Sequence, residues 1–421
     1  MAGVHRSIRG GVGRPKTEGM DVKERTQRAL APDLARGLML ALIALANSAV
    51  YLTGRPYGVR QHIVEHGLVD RVVSVLTVTL VDARAYPMFA ALFAYGIVQL
   101  LQRDGKQVVR RRSLWLVVFG FVHALLLFPG DILGLYGLVG LVLVGFSRVS
   151  DRRLLIGAGL WLVVVAAVQG AAYAMPSTGE RTFFWSFEMT DPLQAMMWRP
   201  VEWVMTPFGV IGVGSAVLVG TWAGRRAILA NPKAHRKLLS RTAWAGLSIA
   251  VAGGLPSGLA VGHFWEPGSL WGISALHAVT GIGGGLGYAA LIGLLAAGMQ
   301  HREGRITTAP AAGMQHRNGR VTTAPAAGMQ HREGRVTTAL AACGRRSLSC
   351  YLFQSVVFVV LLMPYGLGLG GKLGTGAVAL VALGTWGVSV LLADRLGRAG
   401  LRGPAEVVLR NLTYKTGKMA V

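Results

Sequence analysis

The chain has 421 residues, of which 52% are hydrophobic and only 15% charged, with a formal net charge of +24. So few charges cannot solvate a globular surface of this size, which excludes a water-soluble fold and leaves one whose surface faces lipid. The excess of basic residues does not make nucleic acid a partner, because they are scattered between apolar stretches with no recognition motif, and topology together with anionic lipid headgroups accounts for them.

Residues 1–33 are polar, basic and contain Gly and Pro, and they lack the apolar core and cleavage site of a signal peptide. The first apolar stretch is therefore expected to be an uncleaved anchor, with Asp33 as its N-cap. A span needs about 20 mostly apolar residues. The stretches that meet or approach this are 34–53, 86–102, 113–128, 132–147, 154–175, 207–224, 242–262, 271–297, 346–363 and 375–393. The expected fold is all-α, a polytopic transmembrane bundle of about ten spans.

Charge supplies the orientation. With the N-terminus in the cytoplasm, the inner segments (1–33, 102–112, 148–153, 224–241, 298–346 and 394–421) hold 35 Lys and Arg residues. The outer segments (54–85, 129–131, 176–206, 263–270 and 364–374) hold 7. That bias follows the positive-inside rule and predicts both termini in the cytoplasm of a multi-pass membrane protein. The chain then divides into a basic N-terminal segment (1–33), helices one to eight (34–297), a cytoplasmic loop (298–342), helices nine and ten (343–393) and a cytoplasmic tail (394–421).

The loop at 298–342 is three copies of a 15-residue unit, GMQHREGRITTAPAA and two near-identical successors. The unit is too short and too rich in Gly, Pro and Thr for a helical solenoid. His301, His316 and His331 recur in it, but near-identity is the mark of a tandem duplication in a tolerant loop rather than of a metal site. No metal is expected anywhere in the chain. Cys343 and Cys350, seven apart, would be separated by about 10 Å of rise on one helix, too far for a disulfide. The glycines at 281, 283, 284, 285 and 287 lack the preceding strand and following Lys-Ser/Thr of a phosphate loop. They point instead to close helix packing or to a locally broken helix lining a cavity.

Polar residues inside spans are costly and so mark function. They are Arg36, Asn47, Gln99, His123, Gln169, His277 and Gln354. Arg36 stands near an inner end, where it either shapes a site or snorkels to headgroups. His123 falls about 8 Å below the outer surface on the third span, and His277 about 9 Å below it on the eighth. Both would face one polar cavity as general base or acyl acceptor, or each is a structural histidine bonded to a neighbouring helix. Asp131 follows a Pro129-Gly130 turn, eight residues past His123. There it orients the imidazole, caps the next helix, or both.

The segment His123 to Tyr136 also carries a resemblance. Asp33-Leu-Ala-Arg36-Gly37, Met88-Phe-Ala-Ala-Leu-Phe-Ala-Tyr-Gly96, Gly344-Arg-Arg-Ser347-Leu-Ser-Cys-Tyr351-Leu-Phe-Gln354-Ser355 and Arg402-Gly403-Pro404-Ala-Glu406-Val-Val-Leu-Arg410-Asn-Leu-Thr413-Tyr414 carry the rest of it. Over about residues 31–415 the chain resembles the YeiB-like bacterial membrane proteins, whose C-terminal half is a domain of unknown function. Cys350 stands where that family usually has Asn, and Val407 where it often has Trp. The family is similar to membrane-embedded acyltransferases that move acetyl groups from cytoplasmic acetyl-CoA to extracytoplasmic sugars.

The resemblance implies a bundle of about ten helices holding a catalytic histidine. It implies an acyl (first of all acetyl) transferase with acetyl-CoA or another acyl-CoA as donor and an envelope glycan or glycolipid as acceptor. His123 would be base or transient acyl carrier, Asp131 its orienter and His277 the alternative, while Asp33 and Arg36 would shape the cofactor mouth. The competing expectation is a transporter or exporter of a small or lipid-linked molecule, its path lined by the same residues. A third is a non-catalytic membrane scaffold.

Overall fold

The computed structural model describes residues 30–307 and 333–414. Among these residues the chain is all-helical, and β-structure is limited to isolated bridges from Tyr57 to Ile63 and Gly179. The helices run in the order α1 (Leu30–Ser48), α2 (Leu68–Leu80), α3 (Ala85–Leu126), α4 (Ile132–Gly145), α5 (Asp151–Ala172), α6 (Pro192–Trp203) and α7 (Gly209–Arg225). They continue with α8 (Arg236–Val261), α9 (Leu270–Thr307), α10 (Glu333–Arg345), α11 (Ser347–Leu362), α12 (Thr375–Arg398) and α13 (Pro404–Tyr414).

Six stretches are long and apolar enough to cross a membrane: Ala31–Tyr51, Leu68–Leu126, Asp151–Ala172, Arg236–Val261, Leu270–Met299 and Thr375–Arg398. The pair Gly334–Arg345 and Ser347–Leu362, bent by 85°, makes a seventh. The chain is thus a multi-pass membrane protein. Its outer faces agree: on α5, Leu160 and Val163 are about two-thirds exposed, which only lipid tolerates in such a run. Of the ten expected stretches, two fall within Leu68–Leu126, and two others on helices of 14 and 17 residues, α4 and α7.

Glycines set the packing that matters for the site. Gly105 has φ +81° and breaks α3 in two. A Cβ on Gly140 of α4 would lie 2.3 Å from Ser113 Oγ and 3.7 Å from Ile97 Cδ1. Residues 97 and 113 would be about 24 Å apart on a straight helix, so the two legs of α3 fold back at Gly105 and α4 lies against both. Tyr136 stacks on Phe93 of the first leg, ring centroids 5.0 Å apart, while Gly137 abuts Val117 of the second. The glycine run in α9 does the same for α8 and α3. A Cβ on Gly285 would meet Met88 N at 2.6 Å, and one on Gly287 would meet Leu247 N at 3.0 Å. The helix through this run is unbroken, so close packing is the role these glycines play.

Three expectations need correction. Asp33 is no N-cap, because the helix already includes Leu30 and Asp33 stands in its first turn. The stretch 54–85, expected to be an outer loop, contains α2, whose hydropathy is interrupted by Asp70 and Arg71. Cys343 and Cys350, both free and buried, lie on the two helices flanking the 85° bend rather than on one continuous helix. Residues 1–29, and most of the repeat loop with His316 and His331, lie outside the described residues. Within the loop, α9 extends through Thr307 of the first copy and α10 begins at Glu333 of the third.

Candidate functional site

The second leg of α3 ends at Leu126, and the Pro129-Gly130 turn brings Asp131 back over it. Close approach at Gly120 makes this possible, since a Cβ there would sit 2.2 Å from Gly134 N and 2.3 Å from Asp131 Oδ2. Asp131 N-caps α4 by accepting from Gly134 N through Oδ2, at 2.6 Å. Its other oxygen, Oδ1, lies 2.8 Å from His123 Nδ1. The two roles open to Asp131 in the sequence are therefore filled together, one by each oxygen.

On its far side the imidazole meets Ser355 of α11. His123 Nε2 and Ser355 Oγ are 2.9 Å apart. In the neutral imidazole with Nδ1–H donated to the Asp131 carboxylate, Nε2 accepts from the Ser355 hydroxyl, whose other acceptor is the Tyr351 carbonyl at 3.3 Å. Asp131, His123 and Ser355 thus form a hydrogen-bonded chain, all at least 95% buried. Tyr351, one turn before Ser355, forms one wall with its ring centroid 5.0 Å from that of His123. Arg199 of α6 steadies the end of α3 by donating from Nη1 to the carbonyls of Leu125 at 3.1 Å and Leu126 at 2.8 Å. Its own buried charge is shared with the Tyr365 hydroxyl.

The other expected site residues fall elsewhere. His277 does not join His123. It lies 3.4 Å from Asp82 Oδ2, and Arg84 Nη1 is 3.0 Å from each of its ring nitrogens, in a cluster that shares no residue with the first. Asp33 and Arg36 pair with one another at 3.4 Å at the start of α1.

Two clefts lie apart from the buried chain, and neither is lined by His123, Asp131 or Ser355. One, of about 480 Å³, is lined by residues of the loops around Tyr57 and Trp185, including Arg55, Arg181 and Glu188. Tyr57 is buried against Arg181 and Glu188, and burial holds its hydroxyl well above the ordinary phenol range. Tyr51 and Phe128 lie between this cleft and His123 as a stacked aromatic pair 5.8 Å apart. The other cleft, of about 200 Å³, is lined by Gln102, Lys106, Thr221 and Arg225 among apolar side chains. Lys106 and His123 are separated by about 26 Å of helix rise, so the two clefts lie toward opposite ends of the bundle. Neither includes Asp33 or Arg36.

Sequence reading missed Ser355 as a site residue. It sits in one of the stretches quoted for the resemblance, yet a serine inside an apolar span is ordinary, and only the folded contact singles it out. Asp82 and Arg84 were missed because they were assigned to a loop.

Comparison with known proteins agrees on lineage and is silent on chemistry. Residues 223–313 and 321–416 match the family described as "Protein of unknown function (DUF418)". The chain is 27% identical over 371 residues to the uncharacterised protein YxaH of Bacillus subtilis (strain 168), covering 79% of this chain and 80% of that protein. It is 32% identical over 113 residues to the uncharacterised protein YeiB of Escherichia coli (strain K12), which is 27% of this chain and 29% of that protein. An uncharacterised 39.9 kDa protein from the amylase 3′ region of Bacillus acidopullulyticus is 29% identical over 150 residues, 34% of this chain and 41% of that protein. No solved structure matches significantly. The DUF418 match in the C-terminal part of the chain and the similarity to YxaH and YeiB support a YeiB-like family.

Proposed function

We propose that this protein is an integral membrane acyltransferase, with an acyl-CoA (first of all acetyl-CoA) as donor and an envelope glycan or glycolipid as acceptor. The observation that carries the reading is the buried chain from Asp131 through His123 to Ser355. It places a nucleophile, a base and an orienting carboxylate in the sequence of hydrogen bonds that acyl transfer uses.

In this reading His123 Nε2 takes the hydroxyl proton as Ser355 Oγ attacks the thioester carbon, and returns it to the departing thiolate. The acceptor hydroxyl then attacks the acyl-serine. Its proton goes to Nε2, and Ser355 recovers a proton as the acyl–oxygen bond breaks. Asp131 holds the tautomer and stabilises the imidazolium in both steps. The cleft bearing Lys106 and Arg225 offers cations to an anionic donor, and its volume suits a phosphate-bearing arm rather than a whole nucleotide. The opposite cleft, with Trp185 beside Arg181 and Glu188, offers an aromatic face and polar partners to a hydroxyl-rich acceptor. In this reading the chain crosses a bacterial cytoplasmic membrane ten times with both termini inside. The reversal at Gly105 supports two spans where hydropathy counts one.

The test is label transfer from radiolabelled acetyl-CoA to a membrane glycolipid extract by the protein in proteoliposomes. Transfer by wild type and its loss in His123→Ala supports the reading. A wild type that neither binds CoA nor transfers label overturns it.

A transporter is the second reading, and the discontinuities favour it. The chain breaks at residues 81–84 between α2 and α3, and bends by 85° between α10 and α11. Broken helices of this kind surround substrate sites in transporters. Uptake or release of label without its covalent transfer would distinguish this reading.

A further inference from the structure

The break between α2 and α3 holds more positive charge than it can neutralise. Arg60 Nη2 lies 3.2 Å from Asp82 Oδ2, and His277 and His62 approach the same oxygen at 3.4 and 4.0 Å. Among the described residues no carboxylate forms an ion pair with Arg84, whose Nη1 lies 3.0 Å from the His277 ring nitrogens. Its guanidinium donates to the carbonyls of Asp82 at 2.7 Å and Ala250 at 2.8 Å. Among the described residues, Asp82 is the sole carboxylate within ion-pair distance of either arginine. Two guanidinium charges thus face one carboxylate, in a place where Arg84 is fully buried and the Arg60 side chain is 6% exposed. His277 stands seven residues into the span Leu270–Met299, about 10 Å along it. An uncompensated charge at such a depth is expensive and is ordinarily paired.

Unused donors accompany the charge. Nε and Nη1 of Arg60, Nε of Arg84, and the buried hydroxyls of Thr79 and Ser274 have no hydrogen-bond partner. Backbone strain is concentrated at the same place. Arg60, Gln61 and Ala83, none of them glycine, have φ of 56°, 61° and 56°. Such conformations persist where the surrounding structure enforces them, and they gather at ligand-binding elements. Asp82, a quarter exposed, and His62, a fifth exposed, open the cluster outward.

We propose that the break at residues 81–84 is a binding site for a phosphate-type anion, held by Arg60 and Arg84 and carried on a lipid headgroup or free in solution. The guanidiniums supply planar, charge-assisted donors suited to phosphate oxygens. Asp82 occupies part of the positive field and competes with the ligand. The site is separate from the His123 chain, so the proposal stands whether or not acyl transfer does.

The test uses full-length protein purified in a maltoside detergent, which carries no phosphate. Binding of inorganic phosphate and of a short-chain phosphatidylglycerol is measured by calorimetric titration, with the matching diacylglycerol as control. Wild type should bind a phosphate-bearing probe and not the control. Binding of phosphatidylglycerol alone identifies a headgroup site, and binding of both identifies a site open to free anion. Arg60→Gln should weaken binding by roughly tenfold or more, the loss of charge-assisted hydrogen bonds. Asp82→Asn should strengthen it, because the competing carboxylate is gone. That variant carries the test if Arg60→Gln fails to fold. The proposal is overturned if wild type binds neither probe, if Arg60→Gln binds as tightly as wild type, or if Asp82→Asn weakens binding.

Discussion

His123 Nδ1 and Asp131 Oδ1 are 2.8 Å apart although the two residues belong to different helices and point from opposite sides of a turn. The pairing fixes which ring nitrogen is free. With Nδ1 committed to a carboxylate, the lone pair of Nε2 is directed at Ser355 Oγ, 2.9 Å away. The second Asp131 oxygen is tied to Gly134 N at 2.6 Å, so the carboxylate cannot swing away from the ring without uncapping α4.

That geometry ranks three substitutions. In the acetyl-transfer assay His123→Ala should lose about 10²–10⁴-fold in rate, the usual cost of removing a general base. Ser355→Ala should lose at least as much, since the acyl-serine cannot form. Asp131→Asn should fall between these and wild type, because its single amide oxygen can accept from His123 Nδ1 or from Gly134 N but not from both, and the NH2 group would face the other donor. If Ser355→Ala keeps full activity while His123→Ala is dead, the imidazole activates the acceptor directly and Ser355 only positions the ring.

The approach at Gly120 gives a second expectation. A methyl at this position would stand 2.2 Å from Gly134 N and 2.3 Å from Asp131 Oδ2, both within a tightly connected turn. Neither atom belongs to a flexible side-chain end that can move aside at no cost. Gly120→Ala should therefore force α3 and α4 apart, destabilising the detergent-purified protein by about 1–3 kcal/mol. It should also reduce acetyl transfer by more than the loss of folded protein explains, because the His123–Asp131 contact opens. Melting temperature and activity per folded molecule, measured together, check both parts.

Much of this was legible in the sequence, for reasons that also explain what was not. The apolar runs revealed the helices because lipid enforces them. His123 and Asp131 could be linked because only the short connection 127–131, with its Pro129-Gly130 turn, separates α3 from α4. Ser355 could not be linked, since 232 residues and seven intervening helices separate it from His123 and its own span gives a serine no distinction. Helix α2 was hidden because Asp70 and Arg71 open it and Asp82 and Arg84 follow its end, so hydropathy falls where burial is in fact supplied by α8 and α12. His277 was given the wrong neighbour, because depth along a helix says nothing about which way its face turns.

The repeats give a third expectation. The middle copy, 313–327, lies outside the described residues, whereas α9 runs into the first copy and α10 starts in the third. Removing residues 313–327 shortens a connection between two helices whose packing is made elsewhere. Closure entropy changes slowly with loop length, about 0.6 kcal/mol per doubling. The melting temperature of the purified deletion variant should stay within a degree or two of wild type. A large drop would mean that the repeats pack against the bundle.

The last expectation concerns sidedness. By the positive-inside rule the 35-to-7 division of Lys and Arg predicts the repeat loop in the cytoplasm and the loop bearing Glu180 outside. Both native cysteines are buried, so replacing them with Ala should give a background silent to thiol reagents. On it, Glu180→Cys should react with a membrane-impermeant maleimide in intact cells, and Arg320→Cys should react only after the membrane is opened. Glu180 lines the 480 Å³ cleft next to Arg181, so this result would also put that cleft on the face where an envelope acceptor waits. Reaction of the Arg320→Cys variant in intact cells would invert the topology. The cleft bearing Lys106 and Arg225 would then face outward, away from any cytoplasmic acyl donor, and the transferase reading would lose its supply of substrate.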